Sequence, residues 1–187
     1  MSSKHTMQLL QILVSSALLL VGAAAARKTT TTHIKFYLHD IVTAVPSSPA
    51  TAVRVARGVT PLPVDPAFRF GDMFVIDDLL TEGPNTASPA IGTAQGFYIF
   101  ASRTDFTLML SLNMVFTAGP HNGSTIAVLA RDAILDPVRE LPVVGGTGAF
   151  RGATGYGLLR TYSGNLTTFN AVVQVDMYVR ARASATH

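Results

Sequence analysis

The 187-residue sequence contains no cysteine and no tryptophan, and only 13% of its residues are charged. Without cysteine, the chain can form no disulfide and can perform no thiol chemistry. Its stability must therefore come from a packed core, a closed sheet or subunit contacts. The hydrophobic content of 48% excludes a disordered chain, and the length suits a single domain.

Strong charge clusters and cofactor motifs are also missing. The formal net charge is +3, and the 14 lysines and arginines are scattered rather than gathered in a basic stripe. Nucleic-acid-binding proteins usually show such a stripe, so we do not expect a nucleic-acid partner. The five histidines lack metal-ligand spacing, and no haem, flavin or copper motif is present. We therefore expect no metal, no cofactor and no oxidising chemistry by the chain itself.

The N-terminus has the three parts of a secretory signal peptide. Lys4 gives a basic start, residues 9–21 form an apolar run, and small residues follow at 23–26. A membrane anchor is the alternative, but the apolar run is short of the ~20 residues that span a bilayer. We predict that residues 1–26 are a cleaved signal peptide and that residues 27–32 are a flexible mature N-terminus. The protein is then expected to be secreted, with no membrane attachment.

Two N-glycosylation sequons agree with an extracellular protein. They begin at Asn122 and Asn165, and both lie in polar stretches that are typical of turns. A glycan at either position would stay on the surface, so we predict a glycoprotein.

Short segments of alternating polarity dominate the remaining sequence, and no amphipathic helix is indicated. About eight strands separated by turns predict a sandwich or a barrel. We favour an all-β fold, an eight-stranded antiparallel, calycin-like β-barrel over residues 33–182, because closure leaves no sheet edge to protect. Residues 72–80 are apolar on both strand faces, which predicts packing against further copies of the chain in a homo-oligomer.

Three carboxylates could carry chemistry. Alternation places Asp40 on the same strand face as Ile34, Phe36 and Leu38. If that face lines the interior, burial would raise the pKa of Asp40 and make it a proton donor or acceptor; alternatively, Asp40 ends the strand and caps a turn. The neighbouring residues Asp77 and Asp78 point to opposite faces, so at most one can face a cavity.

Aromatic residues suggest where a ligand would bind. Tyr98 and Phe100 share a strand face with the smaller residues Gly96 and Ser102. An aromatic floor beside small residues suits a flat, apolar, phenolic ligand, although ordinary barrel core fits these residues equally well.

Five segments, in this order, resemble the plant dirigent proteins over nearly the whole chain from His33 to Val179. The matching stretches are residues 36–41 (FYLHDI), 75–84 (VIDDLLTEGP), 92–98 (GTAQGFY), 122–126 (NGSTI) and 139–148 (RELPVVGGTG). The resemblance implies a secreted, apoplastic barrel that is usually a homo-oligomer, here a dimer or trimer. It also implies binding of phenoxy radicals, such as those of coniferyl alcohol, that a separate laccase or peroxidase generates. Such proteins direct the coupling to one stereoisomer, whereas some relatives close rings on quinone methides.

Residue by residue, the resemblance assigns the cavity acid to Asp40 and a cavity tyrosine to Tyr98. We add Phe100, Asp77, Arg151 and Thr154 as candidate substrate-binding residues. Two positions depart from the pattern of lignan-forming relatives. These often carry Asp where this chain has Ala149, and Arg where this chain has Thr154, which indicates a changed pocket. Three functions therefore stand as hypotheses: a stereo-directing protein for radical coupling, a cyclase or lyase that uses Asp40, and a cell-wall or defence binding protein without chemistry.

Overall fold

The structure, a computed structural model, describes residues 29–46, 48–165 and 167–182. The predicted signal peptide lies outside the described residues. No helix in the described ranges is long and apolar enough to cross a membrane. The strand segments found there are β1 (Thr29–Asp40), β2 (Ala52–Ala56), β3 (Thr60–Pro61), β4 (Arg69–Phe70), β5 (Met73–Thr81), β6 (Ala90–Phe100), β7 (Thr107–Phe116), β8 (Thr125–Ala133), β9 (Arg139–Thr147), β10 (Thr154–Gly164) and β11 (Ala171–Arg182), with short 3-10 helices at Gly119–His121 and Gly148–Phe150.

Eight of these strands close into an antiparallel barrel, which confirms the predicted fold class. The hydrogen-bonded order is β1-β11-β10-β9-β8-β7-β6-β5, and β1 also pairs with β5 to complete the ring. Strand β2 adds to β5, while β3 and β4 form a separate two-stranded ribbon. Closure satisfies the backbone groups that an open edge would leave unpaired.

Strand β1 begins earlier than the sequence predicts. Residues 29–32, predicted to be flexible, instead pair in register with residues 179–182 of β11. The prediction is therefore wrong for these four threonines; residues 27 and 28 are not described. Threonine is β-branched and suits a strand, but the partner that orders it lies at the other end of the chain, where a local pattern cannot reveal it.

Alternate residues along the strands form the core. On β7, for example, Leu110, Leu112 and Met114 are at most 5% exposed, while the residues between them face outward. The barrel has two different ends. At the end near the last residue of β11, which we call the base, Phe150 packs against Phe116 with ring centroids 5.8 Å apart. The other end, near the first residue of β11, is called the mouth.

Strand β5 is shared between two partners at the mouth. Part of it pairs with β1 and part with β2, and between these the chain leaves the sheet as loop 41–51. The chain returns where Thr51 and Ala52 donate their N–H groups to the Ile41 carbonyl oxygen at 2.8 and 3.1 Å. Strand β2 thus continues the line of β1 along β5, and the interruption lies directly after Asp40.

Candidate functional site

Two aspartates lie at the interruption between β1 and β2. Asp40 ends β1 on its inner face, as the alternation predicts, and its buried Oδ1 has no hydrogen-bond partner among the described residues. Asp78 lies on the inner face of β5 and is fully buried. Its Oδ1 accepts a hydrogen bond from the Thr51 hydroxyl at 2.5 Å, but its Oδ2 has no partner in the described chain. Buried polar atoms without partners are rare, so this arrangement requires an explanation.

The two carboxyls hold protons at a pH where ordinary aspartates do not. Burial raises the pKa of Asp40 to about 7. Burial raises the pKa of Asp78 to about 8, to which the negative charge of Asp40 contributes, while the hydrogen bond from Thr51 opposes the rise. Since the charges of neighbouring carboxylates repel, the pair keeps at least one proton near neutral pH. One member can then donate a proton while the other accepts one.

Tyr98 and its aromatic neighbours form the wall beside the carboxyls. Tyr98 is 8% exposed and stacks on Phe74 with ring centroids 5.1 Å apart. Burial strongly raises the pKa of Tyr98, and the charges of Asp40 and Asp78 add to the rise, so its phenol stays protonated. Phe100 is buried on the same inner face of β6 as Tyr98. The site therefore combines two carboxyls, one neutral phenol and flat apolar surfaces.

A phenylalanine from the loop before β4 covers the mouth of the barrel. The Phe68 ring stacks on Phe100 at 4.8 Å and meets the edge of Phe169 at 4.6 Å. Phe169 has a φ of 60°, in the left-handed region that bulky residues rarely adopt. A conformation of this kind costs of order 1–3 kcal/mol, so the surrounding structure must impose it.

A pocket of about 500 Å³ lies beside these phenylalanines. Its walls are formed by β2, the Phe68 segment and residues 42, 43, 50, 167 and 169 of the neighbouring loops. The pocket adjoins the surroundings of the carboxyls, because Phe74 lines the pocket and stacks on Tyr98, and Ala52 lines it next to Thr51. A ligand that reaches inward past Phe74 approaches Tyr98, whose phenol feels the charges of Asp40 and Asp78.

One predicted site residue, Asp77, faces solvent rather than the barrel interior. Asp77 is exposed on the outer face of β5, where it accepts a hydrogen bond from the Gln95 amide at 3.2 Å. Its selection as a substrate-binding residue is therefore wrong, and Asp78 is the member of the pair that faces inward. The inner face of β5 carries Phe74, Ile76 and Asp78, but its outer face is also largely apolar, so the sequence did not distinguish the two faces.

Arg151 and Thr154 lie at the base, far from the carboxyls. Thr154 pairs with Arg180 of β11, whereas Asp40 pairs with Ala171 at the opposite end of the same strand. A rise of about 3.4 Å per residue separates those positions by roughly 30 Å. Arg151 is exposed three residues before Thr154, so neither residue joins the pocket at the mouth. Their substrate-binding role stays a prediction, and the structure places them at the base because spacing in the sequence does not give height along a barrel.

The two sequon asparagines are both exposed. Asn122 follows the first 3-10 helix, and Asn165 lies in the loop between β10 and β11, where its Oδ1 accepts hydrogen bonds from two backbone N–H groups. Within the described residues, no group of three or more His, Asp or Glu side chains is arranged to hold a metal ion.

Sequence reasoning missed several residues of the site. Arg54 and Phe68 lie in a short strand and a proline-rich loop, neither of which has a periodic pattern that would predict an inward side chain. Thr51 was missed because nothing local shows that the loop returns to β5. Phe74 and Ile76 share a strand face with Asp78, but Val75 and Leu79 give Asp77 an equally apolar face, so this signal did not single out Asp78.

The fold is a closed antiparallel barrel, and its buried carboxyl pair beside an aromatic pocket has the chemistry to exchange protons with an apolar ligand. The family model described as Dirigent-like protein matches residues 31–180. The chain belongs to the dirigent family, as the sequence motifs predict.

Characterised relatives and solved structures agree with this membership. Dirigent protein 1 of Arabidopsis thaliana is 45% identical over 150 residues, which cover 79% of this chain and 78% of that protein. Pterocarpan synthase 1 of Glycyrrhiza echinata is 42% identical over 150 residues, which cover 79% of this chain and 77% of that protein. The solved pterocarpan synthase dirigent protein GePTS1 matches with a TM-score of 0.75 and 39% identity, over 83% of this chain and 93% of that one.

Proposed function

We propose that this protein binds a phenolic intermediate at the mouth of its barrel and directs its conversion to one stereoisomer. In this reaction, Asp40 and Asp78 move protons during ring closure of a quinone methide. The observation that carries the proposal is the buried carboxyl pair, which keeps a proton near neutral pH and has two unpartnered oxygens among the described residues. General acid–base groups of this kind need a pKa near the working pH.

The proton balance of ring closure suits a pair that shares one proton. A hydroxyl of the substrate attacks the methide carbon and forms a C–O bond, and its proton passes to the ionised carboxyl. The protonated carboxyl gives its proton to the carbonyl oxygen of the quinone methide, which becomes a phenol. No proton is gained or lost overall, so the pair is ready for the next substrate with its members' roles exchanged.

We place the coupling of monolignol radicals first as the source of the quinone methide. A separate laccase or peroxidase would remove one hydrogen atom from each of two molecules, such as coniferyl alcohol, and the two radicals would join by a C–C bond. The barrel would supply no oxidising power. Selectivity would come from holding the two radicals with one pair of faces in contact, for which the aromatic pocket walls are suited.

Dehydration of an isoflavanol is the second source, and the carboxyl pair favours it specifically. A protonated carboxyl can give its proton to a leaving hydroxyl, which departs as water, while the other carboxyl takes the proton of the attacking phenol. This reaction needs no oxidase. The similarity to proteins named pterocarpan synthases also supports this candidate.

One experiment separates these candidates. The purified protein is incubated with coniferyl alcohol and a laccase, and in parallel with isoflavanol stereoisomers without any oxidase, and the products are resolved on a chiral column. Enantiomerically enriched lignan in the first reaction supports radical coupling, and oxidase-independent ring closure in the second supports the cyclase. Racemic lignan together with unreacted isoflavanol would contradict both, and would leave a binding protein without chemistry.

Secretion, glycosylation and oligomeric state form a separate part of the proposal. We propose a secreted, apoplastic glycoprotein with glycans at Asn122 and Asn165 that assembles as a homodimer or homotrimer. Val75 on β5, Met109 on β7 and Leu129 on β8 are 37–45% exposed on the outer face of the sheet, which supports an oligomer contact. Expression in a plant secretory system, followed by intact mass measurement and light scattering, tests all three points. An intracellular, unglycosylated monomer would contradict them.

A further inference from the structure

Arg54 brings a positive charge to the pocket at the mouth. On β2 it alternates with Val53 and Val55, which are 54% and 58% exposed, and its own side chain is only 28% exposed. Among the described residues that line the pocket, Arg54 is the only charged one. The remaining walls are aliphatic, aromatic or threonine side chains, so any charged group of a ligand would have this single counterpart.

Its guanidinium is held in position by aromatic rings. It lies 5.2 Å from the centroid of the Phe74 ring and 6.0 Å from that of Phe68. Since Phe74 in turn stacks on Tyr98, the cation is the outermost layer of a stack that leads toward the buried carboxyls. A planar cation that is packed against rings loses less freedom on binding a ligand than an exposed arginine would.

The hydrogen-bonding capacity of Arg54 is largely unused. Arg54 forms an ion pair with the buried Asp72, whose Oδ2 lies 3.6 Å from Nη1, but at this distance the contact is beyond the ordinary hydrogen-bond range. The Asp72 oxygens instead accept backbone N–H groups of Gly58 at 2.8 Å and Arg69 at 3.0 Å. Within the residues that the structure describes, no hydrogen bond from the guanidinium is found, although it carries five N–H donors in a fork that matches a carboxylate.

We propose that Arg54 is a specificity-determining residue that binds the carboxylate of a phenolic acid. The pocket then prefers hydroxycinnamic acids to the corresponding alcohols. This inference rests on the proposed function, because it takes the pocket at the mouth as the place where the substrate binds. It changes the substrate of the radical-coupling candidate from coniferyl alcohol to the corresponding acid. The aromatic ring of the ligand would pack against the phenylalanine side chains of the pocket. Its carboxylate would accept hydrogen bonds from the guanidinium of Arg54. Below neutral pH the carboxyls behind the wall are mostly protonated and would not repel the anion.

The test compares two ligands that differ only at the end of the side chain. Ferulate ends in a carboxylate and coniferyl alcohol in a hydroxymethyl group, and the affinity of each is measured by calorimetry at pH 6 for the wild type, Arg54→Gln, Arg54→Lys and Arg57→Gln. We expect the wild type to bind ferulate about tenfold more tightly than the alcohol, as a charge-assisted pair allows. Arg54→Gln should lose that preference and leave the alcohol affinity within about twofold, and Arg54→Lys should keep only part of it. Arg57 is exposed just beyond β2, so Arg57→Gln should behave as the wild type does.

Two results would overturn the inference. Equal affinities of the wild type for both ligands would mean that the arginine recognises no carboxylate. An equal loss of both affinities in Arg54→Gln would mean that the residue only supports the aromatic walls. Neither result touches the proposed function, which depends on stereo-enriched product. Conversely, a protein that prefers ferulate through Arg54 but yields only racemic product would keep this inference and lose the proposed function.

Discussion

The buried acid Asp132 and the buried pair Asp40 and Asp78 lie at different places in the barrel and have opposite surroundings. Asp132 on β8 is 4% exposed, and the Nε of Arg139, which is 6% exposed on β9, donates to its Oδ1 at 2.9 Å. Arg139 also donates to the Thr161 hydroxyl at 2.8 Å. Asp40 and Asp78, by contrast, face each other's charge, and each keeps an oxygen without a partner among the described residues.

The difference separates a structural role from a chemical one. Burial raises the pKa of Asp132 too, but the charge and hydrogen bond of Arg139 oppose the rise. The buried carboxylate of Asp132 is therefore stabilised by its partner. Among the residues that the structure describes, no cation compensates the burial of Asp40 and Asp78 in this way, and their raised pKa values of about 7 and about 8 let them exchange protons near neutral pH. Groups with perturbed pKa values beside a pocket are candidates for catalysis, whereas a paired acid in a barrel wall is sufficiently explained by folding.

Breaking the paired group should have the largest effect on stability. Arg139→Met leaves Asp132 buried without its cation, and we expect the free energy of unfolding to fall by about 3–5 kcal/mol at pH 7. The loss should shrink at lower pH, where Asp132 takes up a proton. Chemical denaturation at pH 4.5 and pH 7 measures both effects.

The matched control replaces both partners. The double variant Asp132→Leu with Arg139→Met removes both charges, so its stability should return to near that of the wild type. A single variant that loses less than about 1 kcal/mol would show that this ion pair does not stabilise the barrel wall.

Changing Asp40 should affect the reaction rather than the fold. Asp40→Asn keeps the size of the side chain but cannot transfer a proton, so the rate of product formation should fall by about 10²-fold or more. Kinetics per mole of folded protein, with circular dichroism as the check on folding, measure this. Asp77→Asn on the outer face is the matched control, and its rate should stay within about twofold. Equal rates for the two variants would contradict the proton-transfer role.

Removing the second acid should flatten the pH dependence of stability. The folded pKa of Asp78 is raised to about 8, from about 4 in the unfolded chain, so between these values the folded state binds more protons and its stability falls as pH rises. Asp78→Asn lacks this loss and should gain stability relative to the wild type between pH 5 and pH 9. Each unit of pKa shift corresponds to about 1.4 kcal/mol. Thermal unfolding across that range measures it, and parallel curves for both proteins would be the contrary result.

The smallest effect is expected at Thr51, whose hydroxyl lowers the pKa of Asp78. Thr51→Val deletes the donor and keeps the shape, so the pKa of Asp78 should rise further and stability should fall by about 1 kcal/mol. Thr51→Ser keeps the hydroxyl and should follow the wild type. Carboxyl titration by NMR distinguishes the two variants, and an unchanged Asp78 titration in Thr51→Val would contradict the assigned hydrogen bond.

The repeating part of this molecule could be predicted from the sequence. Alternation identified the barrel strands and grouped Asp40 with Phe36 and Leu38, and Tyr98 with Phe100, on one face of their strands, but it left open which face is inside. The choice of Asp77 failed because Val75 and Leu79 make the other face of β5 apolar as well. Two apolar faces leave the strand's orientation to contacts that only the folded barrel supplies.

The irregular part could not be predicted, and it contains most of the pocket. Loop 41–51, β2 and the segment that carries Phe68 have their positions fixed by pairing with β5 and by the hydrogen bonds of Asp72, which is remote from Asp40 in the sequence. No sequence pattern therefore indicated that Arg54 lies at the pocket. The distance of Arg151 and Thr154 from the carboxyls could not be predicted for the same physical reason, because proximity in a barrel depends on strand register.

The pairing of the first strand with the last also has a kinetic consequence. Thr29 pairs with Arg182, so the barrel cannot close until almost the entire chain has emerged from the ribosome. Contacts between such distant segments slow folding, because a long loop must be ordered before any of them forms. During synthesis the edge of β1 that faces β11 remains unpaired, and a chain that ends before β11 would expose that edge permanently to other chains.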